Sequence, residues 1–458
     1  MIKDDLWPAA RLIPISSASG VEAQERRAAS ALLAVLGAVD EFGRALLKPL
    51  GAPAGKIASF IEIPMKVDGR PVRPDGIIAV TRGDKVWGCI VEVKTADAPL
   101  EAAQVETYLD LARELEFDAV LTISNQYTTL SDDYPISVDK RKIKKAQLFH
   151  WSWAEIVTEA IVQKQHRGVK DPDQAYMLNE LIRYLTDPRS GALSFDDMGS
   201  NWVKVRDGAR ERTLRKGDAH VEEVAHRWDA LIRYLCLQLT ADLGRDVSQI
   251  MGQDELVSTG ELLAEVRIPN AASSLRLVAN LATRQITAST MVEAPKEGTS
   301  KGRVSWLLRQ LQQAPNHLKI EARVARSSST LAASLGTLRE DPHTIYPEAG
   351  HEIRQFGLSL TRDMGSKRQA GRGSFIESVL TTATEFYGAA LERLSPWKAK
   401  PPKLPSRPEE RVMEEVVEEL GPTIQEGVEE AQEEMQEMAE SPSESAQEES
   451  GDEPAAGG

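Results

Sequence analysis

Two apolar stretches on either side of the polar run Arg82-Gly83-Asp84-Lys85 constrain the fold of this chain more than any other feature. Glycine and aspartate tolerate the positive φ angles of tight turns, so the run predicts a β-hairpin centred between its glycine and its aspartate. In that register Val80 faces Trp87 across the ladder, and Asp75 faces Glu92.

Three charged side chains are expected on one face of this hairpin. Directly opposed residues have Cβ atoms about 4.5–5.5 Å apart, which brings the carboxylates of Asp75 and Glu92 together. Lys94 follows two residues after Glu92 and therefore points to the same face. Like charges repel at such range, so a divalent cation, Mg²⁺ or Mn²⁺, is expected between the carboxylates. A salt bridge on a sheet edge is the competing interpretation.

Pro74-Asp75, followed by Glu92-Val93-Lys94, resembles the signature of the PD-(D/E)XK nuclease superfamily, the restriction-endonuclease-like fold. The resemblance covers residues 22–153 and implies an α/β fold with an α/β/α core. It further implies that Asp75, Glu92 and the Val93 carbonyl hold the metal. Lys94 would position the attacking water or stabilise charge on phosphorus.

The family also uses an acidic residue on the helix before the hairpin. The apolar stripe of residues 20–50 leads back through Leu36, Leu32 and Ala29 to Glu25, with Glu22 as the reserve. A first-turn glutamate favoured by the helix dipole is the alternative interpretation of Glu25.

Gln104 and Tyr108 are adjacent on the helix expected after Lys94. They resemble the Gln-x-x-x-Tyr element of the recombination-exonuclease-like branch, which implies contact with nucleic acid. That branch also has an upstream histidine, whereas the first histidine here is His150. Ordinary core packing is the alternative for Tyr108.

A basic run follows the next strand and consists of Lys140, Arg141, Lys142, Lys144 and Lys145. Tyr127, Tyr134, Trp151 and Trp153 lie nearby in sequence. Such a segment could hold a phosphate backbone and stack bases. A solvated charged face is the alternative.

A chain of 458 residues is too long for one core. We expect a nuclease-like domain with trailing helices at 1–185, a linker at 186–216 and an α+β domain of unknown role at 217–397. A Pro-rich linker and a disordered acidic tail follow at 398–458. The stretch at 365–373 is glycine-rich and basic and could bind an anion, although it lacks P-loop spacing.

The net charge of −15 does not exclude nucleic acid, because the acidic excess is concentrated at one end. From Lys398 onward there are 18 acidic and 5 basic residues, which leaves 52 acidic and 50 basic residues before it. The tail could dock a protein partner, and solvation is its default state.

Cys89 and Cys236 indicate buried thiols rather than a disulfide or a zinc site. The sequence has neither a signal peptide nor an apolar run of membrane-spanning length, so we expect a cytoplasmic protein without membrane contact.

The sequence therefore predicts a metal-dependent nuclease that hydrolyses phosphodiester bonds, with DNA the favoured substrate. The alternative is a catalytically silent, nuclease-like regulatory protein that binds nucleic acid or nucleotide. A third interpretation is an interaction protein that works through its tail. The choice between DNA and RNA and the oligomeric state stay open.

Overall fold

The computed structural model describes residues 10–12, 20–96, 98–128, 134–144, 146–192, 195–251, 254–325, 330–349 and 351–398. Lys145 and, apart from Lys398, the expected Pro-rich linker and acidic tail lie outside these residues.

The first part of the chain forms a five-stranded mixed sheet with helices on both faces. Its strand order is β1-β4-β5-β6-β7, and a separate two-stranded ribbon is formed by β2 and β3. The strands are β1 (Lys56–Ile61), β2 (Met65–Val67), β3 (Arg70–Val72), β4 (Gly76–Arg82), β5 (Lys85–Val93), β6 (Ala119–Ser124) and β7 (Gln147–Ser152). The helices are α1 (Val21–Ala38), α2 (Asp40–Leu47), α3 (Ala102–Leu115), α4 (Trp153–Val162) and α5 (Pro172–Thr186).

Strand alternation gives this sheet two apolar faces. Ile78 and Val80 contribute to the core shared with α1, α2, α4 and α5. Ile77 and Ile90 point the other way and contribute to the core shared with α3. The result is three layers: helix, sheet and helix.

The hairpin has the predicted register. In the β4–β5 ladder Val80 pairs with Trp87 and Thr81 with Val86, and the last pair is Gly76 with Val91. Asp75 and Glu92 come directly after that pair. Strands β5 and β6 are parallel and joined through α3, which confirms the expected crossover.

Two details of the sheet differ from the sequence interpretation. The apolar residues of Ser59–Pro64 predict one strand that could continue to Val67, but β1 ends at Ile61 because Glu62 adopts a φ of 52°, outside the extended region. The fifth strand, β7, was not predicted, because its mixed aromatic and polar residues do not alternate cleanly.

The second part is built on an eight-stranded antiparallel sheet of order β14-β13-β15-β12-β11-β10-β8, with β9 paired to β10. Its strands are β8 (Ser248–Met251), β9 (Asp254–Glu255), β10 (Glu261–Arg267), β11 (Leu275–Asn280), β12 (Gln285–Glu293), β13 (Lys319–Val324), β14 (Thr330–Ser334) and β15 (Ile353–Asp363). Its helices are α6 (Trp202–Glu211), α7 (Ala219–Leu243), α8 (Leu256–Thr259), α9 (Ser300–Gln310), α10 (Leu335–Glu340) and α11 (Phe375–Ala389).

Helix α7 has the ends that its sequence predicts. The Asp218 side chain caps it by accepting the His220 N–H, and Gly244 ends it with a left-handed φ of 63°. Its apolar stripe, which includes Trp228, Leu231 and Leu235, packs into the core of the antiparallel sheet.

The segment 186–216, predicted as a linker, contains the whole of α6, and Trp202 at its start is buried. The two parts of the chain also meet directly, through helices α4 and α7. Arg233 of α7 forms a 2.7 Å ion pair with Glu155 of α4, and Thr158 donates a hydrogen bond to the Leu237 carbonyl. The position of a domain boundary in this region stays a prediction.

Within the described ranges, no helix combines the length and apolar character that crossing a membrane requires.

Gly43 of α2 lies so close to α1 that a methyl group does not fit. An added Cβ would lie 2.3 Å from the Leu36 carbonyl oxygen and 2.6 Å from Cδ1 of Ile57. We predict that Gly43→Ala lowers the free energy of unfolding by about 1–3 kcal/mol, as overpacking does elsewhere. Gly388→Ala in α11 is the matched control, because nothing lies within 4 Å of its added Cβ. Urea denaturation compares the two, and equal midpoints would contradict the close contact.

Candidate active site

The end of the hairpin brings the predicted acidic and basic residues together. Asp75 accepts the backbone N–H of Val93 through Oδ2 at 2.7 Å. The Lys94 ammonium donates to Oε1 of Glu92 at 2.6 Å. The side chain of Glu92 is 2% exposed and that of Lys94 is 16% exposed, so the cluster is largely shielded from water.

Burial and mutual proximity favour the protonated form of both carboxyl groups. Burial and the neighbouring charge of Glu92 raise the pKa of Asp75 to about 8. Burial also raises the pKa of Glu92, and the nearby Lys94 offsets only part of this effect. The side chains of Asp75 and Glu92 are hydrogen-bonded to each other. At neutral pH a cation that replaces a proton here would be attracted by both groups.

Lys94 is held in its charged form. Burial disfavours the ammonium, but the charges of Glu92, Glu25 and Asp75 outweigh this effect and raise the pKa of Lys94. An ammonium that keeps its proton is a hydrogen-bond donor and a fixed positive charge. It is not a general base.

The backbone of Val93 also faces Asp75. Lys94 donates its N–H to the Ile123 carbonyl of β6, so the flanking peptide groups complete the parallel ladder on that side. The N–H and C=O of Val93 consequently point away from β6, toward Asp75, whose carboxylate accepts the N–H.

Two carboxylates and one carbonyl fit the oxygen ligands that Mg²⁺ prefers, with water and phosphate completing the octahedron. The described residues hold no cluster of three or more His, Cys, Asp or Glu side chains arranged to bind a metal. A cation here would therefore depend on Asp75 and Glu92, and Lys94 competes with it for one oxygen of Glu92.

Glu25 lies near this cluster, whereas Glu22 does not contribute to it. The Glu25 carboxylate accepts the Thr95 N–H at 3.4 Å and interacts electrostatically with Lys94 and Asp75. Burial raises the pKa of Glu25. Glu22 is 71% exposed and paired with Arg26 one turn later.

Gln104 and Tyr108 are adjacent on α3, as predicted, and they support Glu92. The amide of Gln104 donates to the Tyr108 hydroxyl at 3.2 Å. That hydroxyl lies 3.4 Å from the Arg73 carbonyl oxygen and within reach of the Glu92 carboxylate, whose pKa it lowers. Tyr108 is 3% exposed. A side chain buried to this extent orients Glu92, so direct contact of Tyr108 with nucleic acid, as the resemblance implied, does not follow from its position.

Sequence reasoning missed two supports of the site. Glu62 forms ion pairs with Arg26 at 2.7 Å and with Arg73 at 3.0 Å, beside Asp75. Trp153, the first residue of α4, donates its indole N–H to the Lys94 carbonyl at 2.9 Å. The only available signal was the charge of Glu62 in an otherwise apolar strand, because both supports depend on contacts distant in sequence.

The predicted basic run is partly neutralised by nearby acids. Arg141 pairs with Asp139 at 2.8 Å, and Lys142 pairs with Asp110 at 2.6 Å. Lys140 and Lys144 are exposed.

The aromatic residues near this run offer little surface for stacking. Trp151 and Trp153 are buried, and Tyr127 packs against Phe195 and Tyr234. The stacking role expected for these three side chains is therefore not supported by their positions.

A cleft of about 720 Å³ opens beyond the carboxyl ends of β5 and β6. It is lined by Ala96, Ala98 and Pro99, by residues 125–128 after β6, and by one face of α7. In open α/β sheets ligands bind outside the carboxyl ends of the strands, which is where this cleft lies.

Compared with protein-family models, curated proteins and solved structures, the chain matches none of them. The function of the site is therefore inferred from its geometry.

The acid pair predicts a pH-dependent stability in the presence of a chelator. Asp75 binds its proton more tightly in the folded state than in the unfolded chain, where its pKa is about 3.9. Its contribution to the free energy of unfolding therefore falls as the pH rises from about 4 toward 8. Asp75→Asn imitates the protonated acid and can still accept the Val93 N–H. We expect this variant to match the wild type near pH 5 and to exceed it near pH 9, by on the order of 1 kcal/mol.

Urea denaturation across this pH range provides the measurement, with Asp84→Asn in the exposed hairpin turn as the control. Parallel curves for Asp75→Asn and the wild type would show that Asp75 has an ordinary pKa.

A divalent cation is expected to stabilise the folded protein through the same pair. At ten times the dissociation constant the gain is about 1.4 kcal/mol, which shifts the melting temperature measurably. We predict that Mg²⁺ or Mn²⁺ raises the melting temperature of the wild type near pH 8 and leaves that of Glu92→Gln unchanged. Glu22→Gln, which removes an exposed carboxylate, should respond like the wild type. The same shift in all three proteins would place the cation elsewhere.

Proposed function

We propose that this protein is a metal-dependent nuclease of the PD-(D/E)XK type that hydrolyses phosphodiester bonds, with DNA as the favoured substrate. The observation that carries the proposal is the buried cluster of Asp75, Glu92 and Lys94 at the end of a hairpin. The nearest open cleft begins at Ala96, two residues after Lys94. A restriction-endonuclease-like fold for the first sheet belongs to the same proposal. It is supported by the three-layer arrangement and the parallel β5–α3–β6 crossover.

Each residue of the cluster has a defined part in this proposal. Asp75 and Glu92 supply carboxylate ligands, and the Val93 carbonyl supplies a third oxygen. Bound Mg²⁺ or Mn²⁺ would polarise the scissile phosphate and lower the pKa of a bound water. The permanent charge of Lys94 stabilises the negative charge that develops on phosphorus and orients the attacking water by donating to it.

Two neighbours position these groups. Tyr108, held by Gln104, orients Glu92 from α3. Glu25, near Lys94 at the end of β5, adds negative charge that holds the ammonium in place. Burial keeps water from screening these interactions, which strengthens them relative to the same contacts at a surface.

A second candidate function is a catalytically silent protein that binds nucleic acid or nucleotide through a nuclease-like domain. The observation that favours it is the 2.6 Å ion pair, in which Lys94 occupies one of the carboxylate oxygens that a metal requires. In that case Asp75, Glu92 and Lys94 form a structural network. Binding without cleavage is the expected behaviour.

Substitution of Lys94 separates the two functions. If Lys94 acts on the phosphate and not on the metal, Lys94→Ala should lower the cleavage rate by about 10²–10³-fold while the cation-induced rise in melting temperature persists. Asp75→Ala should abolish both effects. Lys85→Ala, an exposed lysine at the other end of β5, should leave both unchanged.

The assay uses supercoiled plasmid, linear duplex, single-stranded DNA and RNA, each with Mg²⁺, Mn²⁺ or chelator. Cleavage that survives both Asp75→Ala and Lys94→Ala would assign the activity to another site or to a contaminant. Nucleic-acid binding without cation-dependent cleavage of any substrate would support the silent alternative.

A further inference from the structure

The fold brings two distant basic segments of the second part of the chain into contact. One segment is α6 with the loop that follows it, 202–216, and the other is the glycine-rich loop, 366–373. The Arg206 guanidinium donates to the Ser366 carbonyl at 2.8 Å, so the two segments are in contact. Their nine basic residues form what we call the α6 basic surface: Lys204, Arg206, Arg210, Arg212, Arg215, Lys216, Lys367, Arg368 and Arg372.

This surface is rich in unneutralised charge. The same two segments contain two acidic residues, Asp207 and Glu211. Arg206 pairs with Asp207, and Arg368 lies 3.5 Å from Asp197. Among the described residues none forms an ion pair with the other seven cations, and all seven are exposed. The basic run at 140–144 differs, because Arg141 and Lys142 are held by acids.

The glycine-rich loop is fixed against the fold. The Met198 N–H donates to the Arg368 carbonyl at 3.1 Å, and the Ala370 N–H donates to the Asp196 carbonyl at 2.6 Å. Gly371 and Gly373 have φ angles of 116° and 77°, which favour glycine. The loop therefore presents its cations in a defined geometry.

The α6 basic surface begins close to the candidate active site. The Gly191 carbonyl accepts the N–H of Ala96, two residues after Lys94, and the Asp196 carbonyl accepts from the glycine-rich loop. Gly191 and Asp196 are five residues apart, a distance of at most roughly 18 Å along the chain. A nucleic-acid strand places one phosphate about every 3.4 Å, so this span corresponds to about five nucleotides.

We propose that the α6 basic surface binds the phosphate backbone of double-stranded DNA and directs it toward Asp75, Glu92 and Lys94. This inference rests on the proposed nuclease function and names the surface that holds its substrate. The two large aromatic residues beneath the surface, Trp202 and Phe375, are fully buried and stack on each other. Binding therefore depends on phosphate charge rather than on base stacking, which favours a duplex and little sequence preference.

Binding is measured apart from cleavage, with the full chain carrying Asp75→Ala and with chelator present. Fluorescence anisotropy follows a labelled duplex between about 50 and 200 mM salt. The surface variant combines Lys204→Gln, Arg210→Gln, Arg215→Gln and Lys367→Gln. A control variant removes the same charge through Lys48→Gln, Lys56→Gln, Lys66→Gln and Lys85→Gln, all exposed on the first part.

We expect the surface variant to bind duplex at least about tenfold more weakly than the control variant. The slope of log K against log salt should be shallower by roughly one for each phosphate that the surface variant no longer neutralises. Equal affinities of the surface and control variants, or no duplex binding by the parent at low salt, would overturn the proposal.

Hydrogen exchange of the parent protein with and without duplex gives a second measurement that does not depend on folding of the variants. Protection of amides in 202–216 and 366–373 supports the surface, and protection confined to other segments overturns it. Failure of the nuclease proposal has a different signature, namely duplex binding at this surface without cation-dependent cleavage by the unsubstituted protein.

Discussion

The hydrogen bond from the Val93 N–H to the Asp75 carboxylate is the contact on which the candidate site depends. It continues the hairpin one step past its last ladder pair and fixes a buried acid beside another buried acid. Bringing two carboxyl groups out of water is costly unless they are hydrogen-bonded or paired with a cation. Here the backbone N–H and Lys94 offset part of that cost, and the raised pKa values indicate that protonation relieves a further part.

Structural features that depend on residues close together in sequence could be predicted from the sequence. The turn at Gly83-Asp84 fixed the register of Val80 with Trp87, and the capping residues of α7 marked both of its ends. The proximity of Asp75, Glu92 and Lys94 followed from the same register, because strand side chains alternate.

Structural features that depend on contacts between residues far apart in sequence could not be predicted. Glu62 ends β1 early and pairs with Arg26 and Arg73, which come from a helix and a loop. The burial of Trp151 and Trp153 depends on helices that pack over the sheet. The whole second sheet depends on pairing between strands as far apart as β12 and β15, so its order was beyond local patterns.

The two basic regions illustrate the same limit for electrostatics. The high density of basic residues along the sequence favoured the run at 140–145 as a binding site. In the fold, however, α3 contributes Glu106 and Asp110, which neutralise Lys142. The basic residues of 202–216 and 366–373 are spread over two segments far apart in sequence, and folding brings these segments into contact. Long-range attraction depends on the charges that are not paired with a neighbour of opposite sign. Only the folded chain shows which charges these are.

Helix α4 makes the candidate site inseparable from the second sheet. Its first residue, Trp153, holds the Lys94 carbonyl, and two residues later Glu155 closes the capping box and pairs with Arg233. A fragment cut near residue 186 would expose the face of α4 that α7 covers and leave Glu155 without that partner. The first sheet therefore depends on α7, and fusions or minimal versions of this protein need to retain that helix.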